Sequence, residues 1–283
     1  MEFQIQDPIL VVGLGGAGCR LATSIKEGLG CDSLLISHDP KDLNHESSKI
    51  LINTSPVLNP SAYLIRGISF GARSSIAQRL ESYSTIMIVA NLAGKSGAAL
   101  APVVSQIGKE LGKSVLSFGI MPFKFEKDRI FFSGVSLKRL KANSDCTIII
   151  DNDALLDSNP DLTPDSCNTI TNAALMHVVS TLKNSSLPLK TNILSTSKDI
   201  PDVETSLRDS IKMLYEDAPP NNIKSALLYV VGGNKVPIGV LNSMVSTVSG
   251  IFSNDSTRVS LSVSNGEKIQ SCFANLNRRR DSF

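Results

Sequence analysis

The residues best suited to chemistry in this sequence are the glycines of two turns, each of which follows an apolar run. The first turn, Gly13-Leu14-Gly15-Gly16-Ala17-Gly18, comes after Ile9–Val12 and before apolar residues at helical spacing. Glycine lets backbone N–H groups approach a phosphate closely, and a helix start adds partial positive charge. The G-x-G-x-x-G spacing is that of a dinucleotide-binding turn, and Asp39 follows about 20 residues later, where a ribose-binding acid is expected. A tight turn that serves packing alone is the other interpretation.

The second turn, Ala93-Gly94-Lys95-Ser96-Gly97, follows the apolar run Ile86–Val89 and precedes a helical pattern. Two such turns after neighbouring strands would hold a triphosphate from both ends. Lys95-Ser96 is similar to the end of a Walker A motif, but the first glycine of that motif would fall at Val89, so a P-loop is not supported. An ordinary helix start with small residues remains an alternative. The segment Gly67–Arg73 combines glycines with a cation, and a plain surface loop explains it equally well.

Composition limits the class of protein. The 283 residues are 42% hydrophobic and 19% charged, as in globular proteins, and no apolar run approaches the ~18 residues that a membrane span needs. A net charge of +2 and an aromatic content of 5% argue against nucleic-acid binding. Five scattered cysteines without a CxxC pair favour a reducing compartment, so we expect a cytoplasmic protein. His38 and His45 have no companions at ligand spacing, so no protein metal site is predicted.

Strand-like and helix-like segments alternate through the first half of the chain. Apolar runs at 9–12, 33–37, 86–89, 114–120 and 147–150 are separated by helical patterns, which predicts a parallel sheet covered by helices on both faces. The pattern then changes to a long helix and a smaller layer of strands and helices. The elements predicted there are a helix at 167–182, a strand at 191–196, a helix at 202–216, a strand at 226–231, a helix around 241–248, and strands at 258–263 and 269–274.

The predicted fold class is therefore α/β, with a Rossmann-like parallel-sheet domain, a central helix and a smaller α/β C-terminal domain. We place the nucleotide-binding domain at 1–165, the central helix at 166–185 and the C-terminal domain at 186–277. The remaining residues, 278–283, form a basic tail whose arginines are expected to be solvated.

Four blocks of the sequence, in order, resemble the FtsZ/tubulin superfamily, and FtsZ more than eukaryotic tubulin. They are the first turn through Cys19, Ala93–Val104 against the signature GGGTGTGAAPVV, Pro122–Arg129 against PFxFExxxR, and Asp151–Leu156 against PNDxLL. Each block alone is only weakly specific for the family. Their shared order and spacing make the resemblance specific over about residues 9–182. The resemblance implies a GTP-binding Rossmann-like domain, a central helix and a C-terminal activation domain. A dinucleotide site would not explain why the second, third and fourth blocks are present.

By this resemblance, the two glycine turns would face the phosphates of GTP or GDP, and Gly94, Ser96 and Gly97 would supply the second turn's contacts. The family signature is almost entirely Gly and Thr, whereas this chain has Lys95 for a glycine and Ala98-Ala99 for Thr-Gly. Each added Cβ is expected to narrow the backbone cradle. Lys95 would add a phosphate contact or replace the charge of a missing magnesium ion. A nucleotide-bound Mg²⁺ is the metal that the resemblance allows.

The resemblance also implies contacts for the rest of the nucleotide. Glu126 and Arg129 would approach the ribose and the neighbouring phosphates, and Asn152 would approach the sugar. Asn172 matches the family's guanine-reading asparagine, whose amide pairs with donors and acceptors on the base. The next residue is Asp in FtsZ and Ala173 here, which weakens guanine selection. A strand-end turn at Asn152 and a surface pair of Glu126 with Arg129 are the alternatives.

The resemblance leaves two alignments open at the catalytic loop, whose family pattern NxDFxD activates water on the GTP of the next subunit. In the first, Asp199 and Asp202 are the catalytic acids, with Ser197 in place of asparagine. In the second, which we prefer, 191–196 is the strand after that loop and 202–215 is the next helix, so that the loop is deleted. The two aspartates are then acids favoured at a helix N-terminus.

The sequence thus predicts a divergent FtsZ-like GTP-binding cytoskeletal protein with weak or absent hydrolysis, which assembles head to tail as a homo-oligomer or filament. Division or scaffold proteins are partners implied by the family, and neither nucleic-acid binding nor a direct membrane anchor is expected. Two alternatives stay open. One is a non-catalytic assembly or regulatory protein with a decayed pocket. The other is an NAD(P)-binding oxidoreductase, inferred from the first turn and Asp39 alone, which lacks an acid or base for hydride transfer.

Overall fold

The computed structural model divides into two compact units, Met1–Thr147 and Ile148–Phe283. His45, Asp199 and the tail at 278–283 lie outside the residues that the structure describes. The described residues are 2–43, 48–181, 186–188, 190–197, 202–217, 225–231, 235–252, 258–264 and 270–276.

The first unit is built on a parallel sheet, as the alternating pattern predicts. Its elements are β1 (Glu2–Gln4), β2 (Ile9–Leu14), α1 (Gly15–Leu29), β3 (Asp32–Ser37), the 3₁₀ segment η1 (Pro40–Leu43), β4 (Ser48–Leu51), α2 (Ala62–Ser69), the 3₁₀ segment η2 (Phe70–Ala72), α3 (Arg73–Leu80), β5 (Thr85–Asn91), α4 (Lys95–Glu110), β6 (Ser114–Ile120), α5 (Lys127–Asn143) and the first residues of β7 (Cys146–Ile150). The strand order is β6, β5, β2, β3, β4, and each neighbouring pair is parallel.

The register of β2 and β5 decides where the two glycine turns emerge. Both strands are almost wholly buried, which explains their continuous apolar sequences. Leu14, the last residue of β2, pairs with Ala90 near the end of β5, and the strands run in the same direction. The turns that follow them therefore leave the sheet side by side at its carboxyl edge, where open α/β sheets bind ligands.

Helix α4 contains a proline, which leaves one carbonyl of the helix without its backbone hydrogen bond. Two side chains from other helices donate to this carbonyl instead. Pro102 has no N–H, so the Ala98 carbonyl lacks its usual partner four residues along the helix. The Ser136 hydroxyl donates to this carbonyl at 2.7 Å, and Nη2 of Arg66 donates to it at 3.0 Å. Arg66 Nε also donates to the Ala99 carbonyl at 3.3 Å. Helices α2 and α5 thereby fix the first turns of α4.

The second unit combines a mixed sheet with helices. Its elements are α6 (Asn152–Ser158), α7 (Pro164–Thr181), β8 (Ser186–Pro188), β9 (Lys190–Thr196), α8 (Val203–Asp217), β10 (Ser225–Val231), α9 (Ile238–Ile251), β11 (Arg258–Ser264) and β12 (Gln270–Leu276). The strand order is β11, β10, β12, β9; β10 is parallel to β11, and β12 is antiparallel to both β10 and β9. One apolar cluster joins α8, α9 and β10, with Leu214, Leu228 and Val248 fully buried.

The α/β fold class is confirmed, and the predicted strands and long helices appear within a few residues of their expected ends. One expectation is wrong: the segment Gly67–Arg73 is not a surface loop but the end of α2, the segment η2 and the start of α3. Its glycines make no close contact that a Cβ would disturb, so a helix accommodates them. Among the described helices, none is both long enough and apolar enough to cross a bilayer.

Candidate functional site

A cavity of about 730 Å³ opens in the first unit where the two glycine turns leave the sheet. Both turns line it, together with His38 and Asp42 after β3 and with Asp128 and Arg129 at the start of α5. The volume lies within the range of roughly 300–1,000 Å³ that is typical of small-molecule sites. Sequence motifs that are 80 residues apart in the chain thus share one concave surface.

The two turns touch each other at Gly15. This residue has φ +70°, in the left-handed region, and a Cβ added to it would lie 2.9 Å from the Cβ of Ser96 and 3.3 Å from the backbone N of Gly97. Position 15 therefore requires glycine for two reasons: the positive φ angle, and the lack of room for a Cβ beside Ser96. The contact brings the start of α1 against the start of α4.

Other glycines of the motifs are needed for packing. A Cβ at Gly18 would lie 2.4 Å from the Val89 carbonyl oxygen, and one at Gly97 would lie 2.1 Å from the Asn91 carbonyl oxygen. The interpretation of the glycines as packing residues is therefore correct for these positions. It does not account for the open cavity that the same turns surround, so it does not exclude the binding interpretation, which stays a prediction.

Both helix starts present free backbone donors at this cavity. The residue before α1 is Leu14 and the residue before α4 is Gly94; neither caps its helix with a side chain, and neither first turn contains an acid. The first N–H groups of a helix have no partner within the helix, and they carry its positive partial charge. Two such ends at one cavity form a strong site for an anion such as a phosphate.

A chain of hydrogen bonds connects the second turn with the segment after β3. The Ser96 hydroxyl lies 2.6 Å from Nδ1 of His38 and 3.1 Å from the hydroxyl of Ser37, which in turn donates to the Asp42 carboxylate at 2.6 Å. Sequence reasoning missed His38 and Asp42 because it searched for metal-ligand spacing. The available signal was their position directly after β3, beside the turn that follows β2.

Aromatic side chains from α2 and α5 also line the cavity, and no sequence motif predicted them. Tyr63 meets Phe132 edge to face, with ring centroids 4.9 Å apart. The Arg66 guanidinium lies 5.4 Å from the centroid of the Phe132 ring. Burial, followed by the charge of Arg139, lowers the pKa of Arg66 from its usual value.

Lys95 and Arg129 line the cavity, whereas Glu126 is not among its described lining residues. Lys95 is exposed, and its Nζ bonds the side chain of Asn59. Nη1 of Arg129 pairs with Glu126 at 2.6 Å, and the other carboxylate oxygen of Glu126 accepts from the Phe123 N–H at 3.1 Å. Glu126 therefore holds Arg129 at the start of α5.

Asn152 and Asn172 belong to the second unit. Asn152 is buried; its Nδ2 donates to Asn168 at 2.7 Å and its Oδ1 accepts from Thr171 at 2.8 Å. Both bonds attach the start of α6 to α7. Asp151 caps α6 by accepting from the Asp153 N–H at 2.9 Å. Asn172 is half-buried on α7, one residue after Thr171.

Asp202 stands directly before α8 and caps it. Its carboxylate accepts from the Thr205 hydroxyl at 2.5 Å and from the Thr205 N–H at 2.8 Å. Both bonds lower the pKa of Asp202, and the one from the Thr205 hydroxyl has the larger effect. Strand β9 and helix α8 lie where the sequence pattern predicts a strand and a helix, Asp199 is outside the described residues, and both alignments stay predictions.

Cys19 lies beneath the first turn, where its thiol approaches the Gly13 carbonyl at 3.4 Å. Burial, with a smaller contribution from the Asp42 charge, raises the pKa of this thiol to about 12. The side chain therefore stays protonated and fills space behind the turn.

Taken together, two helix starts that meet at the carboxyl edge of a parallel sheet form an arrangement that is typical of phosphate-binding α/β domains. The Tubulin/FtsZ family, GTPase domain model matches residues 68–160. Cell division protein FtsZ 1 of Thermococcus kodakarensis is 32% identical over 176 residues, which are 56% of this chain and 45% of that protein. Cell division protein FtsZ 2 of Methanocaldococcus jannaschii is 31% identical over 170 residues, or 54% of this chain and 43% of that protein. The chain therefore spans less than half the length of these curated relatives.

Solved structures show the same fold. An empty FtsZ dimer of M. jannaschii superposes with a TM-score of 0.78 at 19% identity, covering 96% of this chain and 88% of that one. CetZ from Methanosaeta thermophila superposes with a TM-score of 0.70 at 14% identity, covering 96% and 87%. The family-model match, the FtsZ relatives and the shared fold together confirm the resemblance to the FtsZ/tubulin superfamily that the four sequence blocks indicate. The comparisons give no support to the oxidoreductase alternative.

Proposed function

We propose that this protein binds a guanine nucleotide, GTP or GDP, with its phosphates in the cavity of the first unit. The observation that carries the proposal is the contact between Gly15 and Ser96, because it aims two uncapped helix starts at one space. A triphosphate is the ligand class that such an arrangement of donors suits best. The cavity volume of about 730 Å³ leaves room for it.

The departures from the family signature are compatible with this proposal. Ala99, which stands in place of a glycine, is fully buried and is not among the lining residues, and Ala98 replaces the larger threonine, so the expected narrowing by an added Cβ remains only at Lys95. Lys95 places a cation at the start of α4, beside the proposed phosphates. The described residues contain no group of three or more His, Cys, Asp or Glu side chains placed to hold a metal. We propose that Mg²⁺ enters with the phosphates, whose charge it neutralises.

Assembly is the second part of the proposal. The M. jannaschii relative is described as a dimer, and CetZ2 of Haloferax volcanii as a GTPγS-bound protofilament. We extend head-to-tail assembly, as a homo-oligomer or filament, to this chain. Division or scaffold proteins would then be its partners. The cytoplasmic location and the domain limits stay predictions from the sequence.

Weak or absent hydrolysis is the third part. It is supported by the capping bonds of Asp202, which give this acid a structural task at α8. The competing proposal, in which Asp199 and Asp202 activate water for a neighbouring subunit, predicts a rate per subunit that rises with protein concentration. Phosphate release measured against concentration separates the two. A rate that falls in both Asp199→Ala and Asp202→Ala would favour the catalytic alignment.

The nucleotide itself is tested by purifying the protein without added nucleotide, denaturing it and identifying what is released. We expect GDP or GTP, and a melting temperature that rises with GTP, since a ligand at 100 times its Kd adds about 2.7 kcal/mol to stability. ATP is the matched control, and Asn172→Ala is expected to reduce the preference for GTP. A protein that releases no nucleotide and whose melting temperature does not change with GTP would favour the alternative of a decayed pocket. Released NAD(H) would contradict the proposal.

A further inference from the structure

One edge of the sheet in the second unit is formed by β11. This strand pairs with β10 along all seven of its residues, and within the described part of the chain no strand lies on its other side. The backbone N–H and C=O groups on that side are therefore open to a strand from another chain. The edge strand β4 of the first unit differs, because it has only four residues and contains Lys49. Short length and lysine are common protections of an edge, and β11 has neither.

The sequence of β11 is suited to pairing with a second copy of itself. Residues 259–263 read Val-Ser-Leu-Ser-Val, which is the same in both directions, with Leu261 at the centre. In an antiparallel pair of two β11 strands about Leu261, valine lies opposite valine and serine opposite serine, and all seven residues of each strand have a partner. A register shifted by one residue would place apolar residues opposite serines. The one charged residue of the strand, Arg258, then lies at opposite ends of the pair in the two copies.

The apolar residues of β11 extend the core of the second unit to this edge. Val259, Leu261 and Val263 lie on one face of the sheet, since side chains alternate along a strand. Val259 and Leu261 are partly buried and pack against the apolar cluster of α8, α9 and β10, whereas Val263 is 44% exposed. In the antiparallel pair about Leu261, Val263 of one copy lies opposite Val259 of the other. The pairing therefore continues the apolar layer across the contact and covers the exposed valine.

Helix α9, which contacts β11, supplies further surface beside the strand. One pair of strands buries less than the roughly 1,200 Å² of a stable interface, so a neighbouring element must contribute. α9 has no charged residue among its 14 positions, and its exposed residues after Ile238 are all Gly, Asn, Ser or Thr. Charged residues are depleted at the centres of protein interfaces, and small side chains leave room for a second helix. The outer face of α9 thus has the composition of a contact surface.

We propose that two copies of this chain associate through β11, antiparallel about a two-fold axis at Leu261, so that their sheets continue into one another. The axis stands perpendicular to the sheet and therefore keeps both α9 helices on the same face. This contact is isologous and closes on itself, whereas the head-to-tail assembly proposed above is heterologous and open-ended. It uses residues of the second unit alone and requires no nucleotide, so it does not depend on the proposed nucleotide binding.

The test measures the mass of the purified chain without nucleotide by sedimentation velocity over a range of protein concentrations. We expect the wild type to show an equilibrium between monomer and dimer. Val263→Lys places a charge opposite the partner's Val259, and this happens twice in the dimer, so the dimer should weaken by about tenfold or more. Val57→Lys is the matched control, because Val57 lies in the first unit and is also 44% exposed. This control should dimerise as tightly as the wild type.

The position of the axis is tested by disulfide crosslinking, which does not depend on the lysine variant. Leu261→Cys brings two thiols face to face, within the Cα distance of roughly 4.4–6.8 Å that a disulfide requires, so mild oxidation should crosslink the dimer. In Val263→Cys the two thiols are four residues apart along the pair, at about 13 Å, so no crosslink is expected. The wild type, oxidised in parallel, accounts for the native cysteines, and circular dichroism checks the fold of each variant.

Three results would contradict the proposal. The first is a wild type that stays monomeric at every concentration, as it would if β11 received a strand from a different protein. The second is an assembly that Val263→Lys and Val57→Lys leave equally strong, as head-to-tail contacts alone would produce. The third is a crosslink in Val263→Cys but not in Leu261→Cys, which would exclude a two-fold axis at Leu261.

Discussion

Replacing Gly94 by aspartate is expected to abolish triphosphate binding while leaving the fold intact. Gly94 precedes α4 with φ −84° and ψ 143°, an extended conformation that aspartate adopts readily. A Cβ there would make an ordinary contact of 3.4 Å with the Asn91 carbonyl oxygen. The new carboxylate would accept from the N–H of Ser96 or Gly97, as side chains before a helix do. These are the donors that the proposed phosphates require.

The substitution is expected to raise the stability of the protein and to lower its affinity for the triphosphate. Aspartate is a slightly better cap than glycine, so the free energy of unfolding should rise by roughly a few tenths of a kcal/mol. Two unit charges about 4 Å apart repel by about 4 kcal/mol at an effective dielectric constant of about 20, which corresponds to roughly a thousandfold in affinity. A more stable protein that no longer binds nucleotide is an outcome that general misfolding cannot produce.

The assay is titration with GTP alongside thermal melting, and the matched control is Gly94→Asn. Asparagine caps a helix as well as aspartate does, but it carries no charge, so its GTP affinity should fall far less. If Gly94→Asp binds GTP as tightly as the wild type, the phosphates do not lie at the start of α4. If the asparagine variant loses as much affinity as the aspartate variant, occupation of the donors rather than charge is decisive, and the electrostatic reasoning is refuted.

Other consequences concern stability and reactivity. Arg66→Met removes one donor to the α4 carbonyl left open by the proline and should cost about 1–3 kcal/mol, measured by urea denaturation. Asp202→Ala removes the hydrogen bonds from Thr205, so its melting temperature should fall at pH 7. Because the pKa of Asp202 is lowered by folding, its contribution is present above the pKa of the unfolded chain and is lost as pH falls through the folded value; the difference from the wild type should therefore vanish in acid. The buried Cys19, whose pKa is about 12, should resist a thiol reagent at pH 8 that modifies the half-buried Cys31, as peptide mapping would reveal.

The elements that were predictable from sequence are those whose own residues carry the pattern. Strands β2 and β5 are buried on both faces, so their sequences are continuous apolar runs, and the glycines after them mark the turns. Helix α5 has few buried residues and a weak apolar stripe, so periodicity did not predict it. Helices α2 and α3 were missed because a break at Gly67–Arg73 resembles a loop.

Within the site, the residues on the glycine turns could be predicted, and those that meet them from elsewhere could not. The contact of Ser96 with His38 joins residues 58 positions apart, and it depends on the register of three parallel strands. No local pattern encodes that register. The second role of Gly18 and Gly97, as residues with no space for a Cβ, likewise depends on carbonyl groups of another segment.

The proline within α4 ties together positions that are far apart in the chain. Since the Ala98 carbonyl depends on donors at 66 and 136, a sequence that replaces Pro102 by a residue with an N–H no longer needs them, and one that loses both donors cannot keep the proline at low cost. Substitutions at these three sites should therefore be correlated across related sequences. The same arrangement makes the orientation of the cavity-lining end of α4 a shared property of three helices, so a variant at Arg66 or Ser136, which are not among the described lining residues, is able to alter it.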